Sequence, residues 1–384
     1  MGIYETLYAF LDAFGTYMGE PGTHPWSQGF PRTVQLPGGP EIPTRINVMP
    51  DHLRYPKAWG LPALREAIAS YYRKFYDADI SYENVMIFAG GRPAIVAVLS
   101  FLEPGITVRI ASTEYTPYYD MLKLIGKPYS LVPSTVENGF APTSEDYFTI
   151  PDDNRHLVLI SNPCNPTGIT RHGDDLENFV KLASSDNVGI LFDEAYELFH
   201  NSPVSAIRYV RDIDQSNVFV VGAATKGLQA PGIRIGWVVA SKSHIKILGN
   251  FSSFGMGGVS HPSQCFALEL LAEERVELLR KAVPTFYGTQ RQRYGEAFER
   301  LGLRLFSGEG GFYHWCQLPG DLTAAQFNTR LFKEGAAVLK GTDCDMARRG
   351  TNSPLRNFFR FSFGPLEPES FDHDIEILTR SLGP

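Results

Sequence analysis

The chain has 384 residues, 43% of them hydrophobic, enough to bury a large core and long enough for two or three domains. Acidic residues outnumber basic ones by 42 to 35, for a net charge of −7, and no basic run occurs, which argues against nucleic acid as a partner. No apolar stretch reaches membrane-spanning length and Met1 to Glu5 lack the basic start of a secretory signal, so a cytoplasmic protein free of the membrane is expected.

From the amino end, residues 1–50 are dense in Gly and Pro and read as an irregular arm containing Trp26-Ser27-Gln28-Gly29-Phe30-Pro31. Leu61, Leu64, Ile68 and Tyr71 recur at helical spacing, which predicts an amphipathic helix over 61–75. From Val85 to about Ala240, short apolar runs alternate with helical stretches, the pattern of a mostly parallel sheet covered on both faces. Val85-Met86-Ile87-Phe88 is one such strand, and Ala89-Gly90-Gly91-Arg92-Pro93-Ala94 turns it into a helix. Leu157 to Ile160 is a second, emptying into Ser161-Asn162-Pro163-Cys164-Asn165-Pro166-Thr167-Gly168, a turn rich in hydrogen-bonding side chains. Gly189 to Phe192 ends in Asp193-Glu194-Ala195-Tyr196, and Val218 to Thr225 ends in Lys226. A long helical region is expected over 262–300, then strands at 303–306, 312–316 and 358–363, with helices near 323–334 and 367–381. The expected division is an arm over 1–50, a large domain over 51–285 and a small α+β domain over 286–384.

Three strands thus end in an amide, a carboxylate and an amine, and in an open parallel sheet the strand carboxyl ends share the edge where ligands bind. A lysine where a buried strand enters a loop is held partly desolvated, which favours the neutral amine and makes Lys226 a candidate nucleophile. Most lysines are solvated surface charges, and Asp193 is equally placed to cap the next helical turn. Arg360 sits inside the apolar run Phe358 to Phe363, where an unpaired charge is costly, so it is either a structural ion pair or a bidentate receptor for a carboxylate. Gly255-Met256-Gly257-Gly258 lacks the full dinucleotide fingerprint. Cys164, Cys265, Cys316 and Cys344 show no paired spacing, and His200, His261 and His314 are isolated along the chain, so thiols and structural histidines are expected and no metal.

Asn165-Pro166-Thr167-Gly168, Asp193-Glu194-Ala195-Tyr196, Thr225-Lys226 and Gly232-Ile233-Arg234-Ile235-Gly236, in this order and at these separations, resemble the fold type I pyridoxal-phosphate enzymes of aminotransferase class I/II. The resemblance implies an α/β fold with a mostly parallel seven-stranded sheet in the large domain, pyridoxal 5′-phosphate as cofactor, and an amino acid and a 2-oxo acid as reactants. Lys226 then bonds the cofactor and transfers the substrate α-proton, Asp193 stabilises the protonated ring nitrogen, and Asn165 and Tyr196 hold the ring hydroxyl. Gly91, Arg92 and Arg234 match the phosphate site, and Tyr115 the aromatic that stacks on the ring. Tyr55 resembles the tyrosine that reaches the phosphate of a neighbouring subunit, which implies a homodimer with shared sites. Arg360, with Gly29 and Asn165, matches the receptor for the substrate α-carboxylate.

The chain also departs from the family pattern. Ala223 stands where a phosphate-binding serine is common, and Arg92 where a smaller or neutral residue is usual. Leu339-Lys340-Gly341-Thr342-Asp343-Cys344-Asp345 replaces a Pro-Gly and aromatic loop near the substrate side chain. Amino transfer is the expected reaction. The alternative is a cyclodehydratase of the capreomycidine and enduracididine synthase type, which expels a hydroxyl from hydroxyarginine, with Asp343 and Asp345 as partners for a guanidinium. A non-catalytic ligand-binding protein on the same fold is a third reading, opposed by an intact Lys226, Asp193 and Arg360.

Overall fold

Seven strands build the main sheet of this computed structural model, which describes residues 3–148, 155–183 and 187–383. They are β1 (Val85–Phe88), β2 (Thr107–Ala111), β3 (Tyr129–Val132), β4 (His156–Ser161), β5 (Val188–Asp193), β6 (Val218–Ala223) and β7 (Gly236–Val239). Their order is β1-β7-β6-β5-β4-β2-β3. Pairing is parallel from β6 across to β3, while β7 runs antiparallel to both β1 and β6. The carboxyl ends of β4, β5 and β6 therefore lie side by side, as the strand-end argument requires.

Alternation along each strand divides the core into two layers. Val158 and Ile160 of β4, Ile190 and Phe192 of β5, and Val220 of β6 pack on one face, with Leu64 and Ile68 of the helix Pro62–Tyr76 and Leu176 of the helix Gly173–Leu182. Leu157, Leu159, Leu191 and Val221 point to the other face, against Ile95 and Val98 of the helix Gly91–Ser100 and Leu122 of the helix Pro117–Ile125. Both faces are apolar, so these strands read as nearly continuous hydrophobic runs.

Beyond the helix Glu273–Arg300, a second sheet forms from β8 (Arg304–Leu305), β9 (Tyr313–Gln317), β10 (Leu339–Lys340) and β11 (Phe358–Ser362). Its order is β10-β11-β9-β8, antiparallel throughout, and the helices Ala324–Leu331 and Phe371–Leu382 accompany it. Among the described residues, no helix is long and apolar enough to cross a membrane.

One expectation needs correction, and the helical region expected over 262–300 is present in two parts. The arm is not irregular throughout: it opens with the helix Ile3–Phe14, whose Thr6 and Phe10, one turn apart, are buried. Phe10 clusters with the nearby Met18 and with Ala337 and Phe332, which come from far along the chain. The region over 262–300 is two helices, His261–Leu270 and Glu273–Arg300, separated where Leu270 and Leu271 are both buried. Glu273 and Glu274 open the second helix, where acidic side chains favour an N-terminus, while Pro284 lies inside it.

Candidate active site

At the carboxyl edge of the main sheet, the ends of β4, β5 and β6 surround a cavity of about 360 Å³. Asn165, Asp193, Tyr196 and Lys226 line it from the strand-end loops, and Tyr115, Gly91, Arg92 and Arg234 close it. Eight of the residues singled out from the sequence thus face one space. Gly29 and Arg360 adjoin it: Lys226 Nζ donates to the Gly29 carbonyl, and Arg360 Nη1 donates to Asn165 Oδ1 at 2.8 Å. Tyr55 does not line the cavity of its own chain and is 94% exposed.

The amine and the carboxylate are both perturbed. Burial, aided by the nearby Arg360 and Arg92 charges and opposed by Asp193, holds the Lys226 amine down at about 7. Burial raises the Asp193 carboxyl, while hydrogen bonds to the charged form pull the other way. Those bonds come from the Tyr118 hydroxyl to Oδ2 at 2.8 Å and from the Ala195 N–H to Oδ1 at 3.1 Å. Asp193 therefore spends one oxygen on the local turn, as the capping alternative held, and remains on the cavity wall.

The opposite end of the cavity suits an anion. The helix Gly91–Ser100 starts there with Gly90 as its N-cap and no side chain capping its free N–H groups. Gly90 has φ +107, and a Cβ on it would lie 2.5 Å from Arg234 Nη2, so only glycine lets that guanidinium approach the helix start. Arg92 Nε donates to the Tyr115 hydroxyl at 2.8 Å, which aims a second cation at the same end. Ala223 lines this wall without a hydroxyl.

On the side toward the second sheet, Arg360 is 2% exposed on β11. Its Nη2 donates to the Ser27 carbonyl at 2.7 Å, its guanidinium lies 4.1 Å from the Tyr313 ring centre, and its buried Nε has no hydrogen-bond partner among the described residues. Among the described residues no carboxylate pairs with it, which argues against a structural ion pair.

Sequence reasoning missed four contributors. The Tyr313 hydroxyl meets that of Tyr196, Tyr118 holds Asp193, Ser27 holds Arg360, and Glu114 braces the Asn165 turn. The last acts through Ser161, whose hydroxyl donates to Glu114 and accepts the Asn165 N–H at 3.1 Å. Tyr118, one helical turn after Tyr115, carried the one available signal; the others depend on contacts between distant segments. Outside the cavity, the fold sets His261 beside His52 and the single Cys265.

The cavity's donor set fits a phosphorylated, nitrogen-containing ring aldehyde: two arginines and free N–H groups at one end, a buried carboxylate at the other, and an amine whose pKa is lowered to about 7 between. Fold and site thus define an α/β enzyme of the pyridoxal-phosphate type. The model of the aminotransferase class I and II family matches residues 31–377, and the chain belongs to that family. It is 27% identical over 283 residues to an aspartate aminotransferase of Pyrococcus horikoshii, covering 73% of this chain and 72% of that one. An LL-diaminopimelate aminotransferase of Dehalococcoides mccartyi is 26% identical over 324 residues, covering 79% and 81%. In fold, the aspartate aminotransferase of Thermus thermophilus solved with maleate superposes with a TM-score of 0.80 over 99% of this chain and 96% of that one, at 22% identity. The protein is a pyridoxal-phosphate-dependent aminotransferase acting on amino acids and 2-oxo acids.

Proposed function

We propose that the cavity at the sheet edge is the transamination site, with Lys226 as the amine that bonds the cofactor and then carries the substrate α-proton. One observation supports this most: a single space joins a desolvated amine, a buried carboxylate and a helix N-terminus flanked by two arginines. Bound pyridoxal phosphate supplies an electron sink for the charge left at the substrate Cα. Asp193, fixed by Tyr118 and Ala195, would keep a proton on the ring nitrogen through a charge-assisted hydrogen bond. Asn165 and Tyr196 would face the ring hydroxyl and Tyr115 the ring plane. Arg92, Arg234 and the N–H groups at Gly91 would hold the phosphate, with Arg92 supplying a contact that Ala223 cannot.

Arg360 would clamp the substrate α-carboxylate beside Gly29 and Asn165, where its Nε is free and its fork is already oriented by Asn165 and Ser27. Lys226, with its amine near 7, can accept a proton at Cα and return it at neutral pH. We also propose a cytoplasmic homodimer in which Tyr55 serves the partner's phosphate, and a division into an arm over 1–50, a large domain over 51–285 and a small domain over 286–384.

The feature that favoured the cyclodehydratase alternative loses its support. Asp345 is fully buried and bonds Arg349 through both oxygens, at 2.9 and 3.0 Å. Asp343 lies 3.7 Å from Lys340, and neither aspartate lines the cavity. The test is to incubate the holoenzyme with a panel of amino acids, hydroxyarginine included, with and without 2-oxoglutarate, and to follow products by mass. Sustained turnover only with the oxo acid is expected. Repeated turnover without it, with loss of water from hydroxyarginine, would overturn amino transfer as the reaction.

A further inference from the structure

Where the helix His261–Leu270 meets the short turn Pro50–Leu53, three metal-binding side chains converge outside the cavity. His261 and Cys265 are four residues apart and share one face of the helix. From the turn, the His52 ring lies 4.5 Å from the His261 ring, centre to centre, and its Nε2 lies 4.0 Å from Cys265 Sγ. One nitrogen from each histidine and the sulfur lie within 4.8 Å of one another, and all three residues are half-buried. The helix cannot easily rotate away. Gln264, fully buried, donates to the Val259 carbonyl at 2.8 Å and accepts the Leu61 N–H at 2.6 Å.

We propose that His52, His261 and Cys265 form a Zn²⁺ site, with water as the fourth ligand. Two imidazole nitrogens and a sulfur are the donors this ion favours, at about 2.0–2.1 Å and about 2.3 Å, whereas Ca²⁺ and Mg²⁺ require oxygens. Tetrahedral bonds of those lengths separate neighbouring ligand atoms by roughly 3.3–3.6 Å, so side-chain movement on the order of 1 Å closes the site. On binding, the thiol loses its proton to water and the sulfur coordinates as thiolate. His52 Nδ1 now accepts the Met49 N–H at 3.1 Å. Coordination through Nε2 shifts the imidazole proton to Nδ1, which ends its acceptance from the Met49 N–H. The ion ties the 50–53 turn to the helix.

The test uses chelator-treated holoenzyme titrated with Co²⁺, whose d–d absorption lies in the red, clear of the cofactor, and then with Zn²⁺. Intense tetrahedral bands saturating at one ion per chain, displacement by Zn²⁺ and a higher Tm with Zn²⁺ are expected. Cys265→Ser and His261→Ala, each checked for cofactor content and circular dichroism, should weaken Zn²⁺ binding by roughly 100-fold or more, since losing even an outer-shell partner costs about 10–100-fold. His373→Ala, at an exposed histidine elsewhere, should leave binding unchanged. If a helix variant misfolds, His52→Ala on the turn reads the same loss. No saturable binding in the wild type, or unchanged binding in the ligand variants, overturns the site.

Discussion

Loss of water acts on Lys226 and Glu114 in opposite senses and brings both to about 7: the amine is pushed down, the carboxyl up. Glu114 is 1% exposed and accepts the Ser161 hydroxyl and the Tyr115 N–H, the latter at 3.0 Å, so it joins Tyr115 to the turn that carries Asn165. Below its ordinary value of 4.5 the carboxyl is protonated in both folded and unfolded chains; between 4.5 and about 7 only the unfolded chain ionises. Stability is therefore lost as pH rises through that window, by on the order of 3 kcal/mol. Glu114→Gln keeps an acceptor and removes the titration. Denaturant unfolding from about pH 4.5 to about pH 7.5 should show the wild type losing stability relative to the variant; parallel profiles would contradict this. Asn165, Asp193 and Lys226 were legible from the sequence because each follows a short apolar run. Glu114 and Tyr313 were not, since a residue inside or beside an apolar segment reveals its partner only when distant strands come together.

Among the elements, the start of the helix Gly91–Ser100 is the most demanding. Gly90 at φ +107 faces Arg234, and a Cβ on Gly236 would lie 2.5 Å from the Gly90 carbonyl carbon, so two glycines let strand, helix and arginine meet. Gly90→Ala should displace Arg234 and weaken pyridoxal-phosphate binding at least about tenfold, or about 1.4 kcal/mol. Gly105→Ala is the control: φ there is +88 with nothing within 4 Å, so it carries the backbone strain without the clash. Spectroscopic titration of the apo-proteins reads both, and equal affinities would contradict the assignment. The strands β1, β4, β5 and β6 were readable as short apolar runs, and the helix Pro62–Tyr76 from its periodicity. The helix Ile3–Phe14 was obscured by the Gly- and Pro-rich stretch after it, and its buried face is completed only by Phe332 and Ala337. The break near residue 271 carries no Gly or Pro to announce it.

At the scale of the whole molecule, Tyr55 at 94% exposure, Leu53 at 79% and Met49 at 56% are large apolar side chains that the chain leaves uncovered, with the exposed Asp51 and Arg54 pair between them. The proposed dimer places this stretch against a partner, and mixing subunits tests it. When Lys226→Ala and Tyr55→Phe chains are combined, a hybrid dimer holds one doubly altered site and one intact site only if Tyr55 acts across the interface. Recovery of activity above that of either parent is expected. Its absence, with hybrids shown to form, would place Tyr55 outside the site.

The proposed site makes Lys226 the amine that the cofactor bonds. Holoenzyme reduced with borohydride, digested and mapped by mass spectrometry should carry the phosphopyridoxyl group on the peptide containing Lys226, and Lys226→Ala should carry none there and lose turnover. Modification of a different lysine in the wild type, or full turnover in Lys226→Ala, would contradict the account.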